Sequence, residues 1–166
     1  IHWLLCVGMV CLPALATGQK SPRVQTLRAG PGTVAFGHYD PAKPPVLRIQ
    51  SGDIVDVTTM LTSNPQRLER MGLPPEKVQP ELRAIYDSVT DRGPGGHILT
   101  GPIYVEGAEK GDILEVRILS VDLPIDYGYN GCSGFVRALC DPQRGSRLIT
   151  MDRQKMRAEI APGITI

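Results

Sequence analysis

The 166-residue sequence has no excess of either charge: 18 lysines and arginines stand against 17 aspartates and glutamates, with no block of like sign. That balance excludes the basic footprint expected of a nucleic-acid binder or of a protein drawn to an anionic membrane surface. Long apolar runs are also missing, and the longest, from Trp3 to Leu12, falls short of the roughly 20 residues of a comfortable membrane span. There is no glycine-rich phosphate loop, no G-x-S-x-G elbow and no His-Glu-x-x-His helix, so the common motif-based assignments fail. A small molecule is the expected partner.

What is present suffices for one domain with a real core. The chain opens on Ile1 rather than methionine, and its first apolar run ends near Ala14-Leu15-Ala16, followed by polar Thr17-Gly18-Gln19-Lys20. This reads as the apolar region and A-x-A site of a secretory signal, with cleavage expected after Ala16. The basic segment that precedes such a region is missing, so the sequence is expected to start inside an open reading frame, with residues 1–16 as leader and 17–166 as one domain. A retained anchor is the competing reading. Export leaves Cys132 and Cys140, which either pair locally or remain as thiols; spacing does not decide between them.

The register of the mature chain is β. Val24-Gln25-Thr26-Leu27 and Thr33-Val34-Ala35-Phe36 flank a turn rich in glycine and proline. Val46-Leu47-Arg48-Ile49 runs into Ser51-Gly52-Asp53 and resumes at Ile54, a strand, turn, strand pattern. It returns as Pro102-Ile103-Tyr104-Val105, Lys110-Gly111-Asp112 and Ile113 to Leu119, a weak internal repeat built on Gly-Asp-Ile-x-x-Val. Glycine serves such turns by taking positive φ and aspartate by bonding backbone N–H groups, so Asp53 and Asp112 read as structural. Between the copies, Pro80 can open a helix in which Leu82, Ile85, Tyr86 and Val89 share one face. The run Asp91-Arg92-Gly93-Pro94-Gly95-Gly96 then ends it and delivers His97 to the edge of the next strand. Asp122 to Phe135 reads as a long loop, and Ile164 as the start of another strand.

Polar residues at these junctions carry whatever chemistry the chain has: His38, Tyr39, Asp40, Asp91, His97, Glu106, Asp126 and Asn130. His97, pinned between glycines and Ile98-Leu99-Thr100, suits a metal ligand or a general base, against the structural reading of a histidine bonded to a carbonyl. Glu106, beside Gly107, faces either a site or solvent. For Asp40 and Asp126 turn capping is the competing role.

The stretch from Gly96-His97-Ile98-Leu99-Thr100-Gly101-Pro102 through Ile103-Tyr104-Val105-Glu106-Gly107 to Gly111-Asp112-Ile113-Leu114-Glu115-Val116 resembles the signature region of the acetamidase/formamidase family. Gly37-His38-Tyr39-Asp40 with Pro44 to Asp53 is similar to that family's opening strands, and Asp126-Tyr127-Gly128-Tyr129-Asn130 to its Asp-Trp-Gly type loop, with Tyr127 where tryptophan is frequent. The resemblance implies a mainly β fold, sandwich- or barrel-like with one short helix, of which this chain is the N-terminal part. It also implies hydrolysis of the C–N bond of a small linear amide to a carboxylate and ammonia, assisted by a divalent metal such as zinc. A metal can both polarise the carbonyl and lower the pKa of the attacking water. On that implication His97 is the expected metal ligand, Glu106 and Asp126 the catalytic carboxylates, and Tyr127 and Asn130 the substrate contacts, with the site completed beyond Ile166.

The expected protein is exported to the periplasm or the cell exterior and binds a small amide. It assembles with copies of itself and meets no nucleic acid and, once the leader is removed, no membrane. Two other readings compete: a cupredoxin-like metal-binding domain, which would need a close Cys, Met and His cluster that the sequence lacks, and a secreted β-sandwich binding module.

Overall fold

The computed structural model describes residues 21–131 and 145–166. The expected leader and the pair Cys132 and Cys140 lie outside the described residues. Strands dominate, in four small sheets, none of them closed into a barrel among the described residues. Val24–Leu27 (β1) runs parallel to Ile54–Val57 (β4), and Val34–Phe36 (β2) antiparallel to Ile98–Thr100 (β5). Leu47–Ile49 (β3) runs parallel to Ile103–Val105 (β6). Tyr127–Asn130 (β7), Arg147–Asp152 (β8), Arg157–Ala161 (β9) and Ile164–Thr165 (β10) form an antiparallel sheet in chain order.

The mainly β expectation holds, but among β1 to β6 no neighbours in sequence pair. β1 and β2 flank a turn and bond to different partners, as do β3 and β4. The internal repeat explains part of this, because its two leading strands, β3 and β6, lie side by side in register Leu47↔Ile103 and Ile49↔Val105. Their turns use the same chemistry. The Asp53 carboxylate accepts from Gln50 N–H at 2.8 Å while its own N–H donates to the Gln50 carbonyl at 3.0 Å. Asp112 does the same with Glu109, at 2.9 and 3.1 Å. Gly52 and Gly111, at φ 87° and 108°, supply the backbone that each turn requires.

Pro80–Ser88 (α2) is the helix expected from the spacing, with Pro80 in its first turn and Leu82 and Ile85 fully buried. Tyr86 and Val89 pack against the same core. A second helix, Pro65–Arg70 (α1), corrects the one-helix expectation. Its Asn64 side chain caps the helix by accepting from Gln66 N–H at 2.8 Å, and Leu68 alone of its large apolar side chains enters the core, too few to show periodicity. The core joins both helices to β2, Ile98 and Tyr127.

Two further expectations are corrected. Within the stretch read as a long loop, Tyr127 to Asn130 forms β7, paired to β8 from Tyr127↔Thr150 to Asn130↔Arg147. Conversely, Ile113 to Leu119, the second copy's trailing strand, belongs to no ladder among the described residues and stands exposed. A strand exists only where a neighbour accepts its backbone bonds, and the partner that β1 gives to β4 has no counterpart there.

Candidate functional site

The end of β2 and the glycine run before β5 are pressed together backbone to backbone. Gly37 N–H donates to the His97 carbonyl at 2.8 Å, Gly93 N–H to the Phe36 carbonyl at 2.8 Å, and Gly95 N–H to the Gly37 carbonyl at 3.0 Å. Glycine is required here. A Cβ on Gly93 would stand 2.6 Å from both the Gly37 carbonyl oxygen and His38 Cβ, and one on Gly95 would stand 2.8 Å from that same oxygen. Arg92 fastens the junction to the helix: its guanidinium donates to the Val89 carbonyl at 2.7 Å and to the Tyr86 carbonyl, and it lies over the rings of Phe36 and Tyr86. Those rings meet edge to face at 5.2 Å.

His38 sits on this junction, its side chain 28% exposed. Nδ1 lies 3.1 Å from the Phe36 carbonyl oxygen, which can only accept, so this contact assigns the proton to Nδ1 and leaves the lone pair on Nε2. Nε2 is 3.9 Å from Asp91 Oδ1, and Lys43 Nζ is 3.6 Å from Asp91 Oδ2. The result is a partly open imidazole with a free lone pair on Nε2 and the Asp91 carboxylate nearby, a ring able to accept a proton.

The five residues singled out from the resemblance do not converge. His97 is exposed at the start of β5 and takes part in the junction through its carbonyl. Glu106 forms a two-pronged ion pair with Arg48, with Nε at 2.6 Å and Nη2 at 3.3 Å from its two oxygens, while Arg48 lies over the Tyr104 ring at 4.0 Å. This hydrogen bonding from Arg48 holds the Glu106 carboxyl below its ordinary range. Asp126 lies 3.5 Å from Lys77 Nζ. The Tyr127 ring is 3% exposed; its hydroxyl donates to the Lys77 carbonyl at 3.0 Å, and burial pushes its pKa up. Asn130 is exposed at the end of β7. No hydrogen bond or ion pair links any two of these five side chains among the described residues.

Nor do the described residues gather three or more histidine, cysteine or acidic side chains fit to hold a metal ion. Among the described residues the donors around His97 do not amount to a metal site. A shallow depression of about 430 Å³ on the β7–β10 sheet, lined by Arg147, Thr150 and Glu159 among others, contains none of the five.

The sequence marks His38 and Asp91 among the junction residues without joining them, and Lys43 is not among those it marks. The available signal was Gly37-His38 and Asp91-Arg92-Gly93: one polar residue next to a glycine and another two positions from one, with the glycines allowing backbones to touch. A model of the Acetamidase/Formamidase family matches residues 36–138, a span that contains the whole junction and all five expected site residues. A comparison with curated proteins finds no match to the chain.

Proposed function

Because the chain belongs to the Acetamidase/Formamidase family, we propose that it hydrolyses the C–N bond of small linear amides, and that the junction of Gly37, His38, Asp91 and Gly93 supplies the base. The observation that carries this is the His38 ring itself, with Nδ1 committed to the Phe36 carbonyl and Nε2 left to the partly open side near Asp91. Amide hydrolysis needs a proton taken from water as it adds to the carbonyl carbon, and a proton delivered to the departing nitrogen. Nε2 is placed to do both in turn. Lys43 Nζ, 3.6 Å from Asp91 Oδ2, holds that carboxylate on the His38 side of the junction.

Ammonia release from formamide and acetamide tests the reading, with wild type compared with His97→Ala in the presence and absence of a chelator. Release by the wild type supports amide hydrolysis. Release lost both on chelation and in His97→Ala argues for the divalent metal and for His97 as its ligand. A folded chain that releases no ammonia from either amide favours a binding module instead.

A further inference from the structure

Ile113 to Leu119 is the most exposed apolar stretch among the described residues. Ile113 is 95% exposed, and Leu114, Val116, Ile118 and Leu119 are each at least 69% exposed. The homologous strand of the first repeat copy, β4, is covered by β1 along its whole length, from Val24↔Ile54 to Leu27↔Val57. In the second copy Glu115 and Arg117, two positions apart, meet at 2.5 Å, which places both on one side, as alternating extended backbone does. Leu114, Val116 and Ile118 then make up the other side.

The order of these residues is complementary to itself when reversed. In an antiparallel pair centred on Val116, Leu114 of one strand faces Ile118 of the other, Ile113 faces Leu119, and Glu115 faces Arg117 twice over. One face of such a ladder is wholly apolar, and the other carries two opposite-charge pairs between apolar ends. A slip of two residues in either direction sets Glu115 against Glu115 or Arg117 against Arg117, so the charges also fix the register. The turn held by Asp112 bounds the stretch on one side, and Pro124, which has no N–H to give, on the other.

From this we infer that the segment 113–119 pairs with the same segment of a second copy of the chain across a two-fold axis at Val116, forming an isologous dimer. The exchange covers an edge that would otherwise offer bare backbone and apolar side chains to any strand it meets. It involves neither His38 nor Asp91, so it stands independently of the amide-hydrolase reading.

Charge inversion tests it. Sedimentation of the full chain over a range of concentrations is expected to show a species of twice the monomer mass. Glu115→Arg sets two like charges across each end of the pair, as does Arg117→Glu, and each variant alone is expected to sediment as a monomer. Mixed in equal amounts they are expected to regain the dimer mass, because arginines at 115 and 117 of one chain then face glutamates at 117 and 115 of the other. Recovery in the mixture also shows that both variants fold. A monomeric wild type, a dimer that survives both single inversions, or a mixture that stays monomeric overturns the inference; in the first case the segment's partner is some other strand.

Discussion

Gly93 leaves no space for a methyl group, whereas Gly96, three residues on, has nothing within 4 Å of where its Cβ would stand. Gly93→Ala therefore forces the β2 end away from the glycine run. We expect it to cost about 1–3 kcal/mol by overpacking and to lower ammonia release as His38 loses its seat. Gly96→Ala is expected to leave both unchanged. Thermal melting and the release assay on the two variants check this pair. Asp53 offers a second test. Its hydrogen bonds to Arg23, at 2.7 and 3.3 Å, together with that from Gln50 N–H, hold its carboxyl well below its ordinary 3.8. A carboxyl depressed in the folded state adds stability that is complete above its unfolded pKa and is lost as pH falls through the folded one. Wild type and Asp53→Asn should thus differ most in melting temperature near neutral pH and converge only on acidification below 3.8. A gap that stays constant into that range would contradict the assignment. Asp53 and Asp112 were legible as turn residues because one backbone geometry explains both glycine and aspartate. The seat of His38 was not legible, since its position depends on a loop more than fifty residues later.

α2 was legible because its proline start and its apolar spacing agree. Leu82→Ala in this helix is expected to cost about 2–5 kcal/mol, since the side chain is fully buried against the core shared with β2 and Tyr127. Denaturant unfolding measures it. α1 escaped periodicity with its single large core side chain, and only Asn64-Pro65, a cap followed by a first-turn proline, announced it. Asn64→Ala should cost about 1 kcal/mol in the same experiment. Glycine in Tyr127-Gly128-Tyr129-Asn130 diluted the strand signal of β7, although the Tyr129 hydroxyl donates to the Thr62 carbonyl and the Arg67 guanidinium lies 5.2 Å from the ring centre. The opposite error at Ile113 to Leu119 has a different origin: its alternation is genuine, but a strand is completed by its neighbour.

Across the molecule, the β class could be read from the sequence and the pairing could not, because every ladder among β1 to β6 joins segments separated by other elements. Alternation shows which side of a strand is apolar, and tertiary packing decides what lies beside it. The same distinction governs the site. The motif around Gly96-His97 led to the glycine junction, where the fold sets His38 and Asp91 across the glycines from the His97 carbonyl. Glu106, by contrast, is held by Arg48 between β3 and β6. The most direct measurement is therefore ammonia release by His38→Ala beside Glu106→Gln, at matched folded protein. Loss of a general base is expected to lower kcat/KM by about 10²–10⁴-fold in His38→Ala, while Glu106→Gln stays close to wild type. Full activity in His38→Ala, with the loss falling on Glu106→Gln, would contradict the placement of the base at the glycine junction.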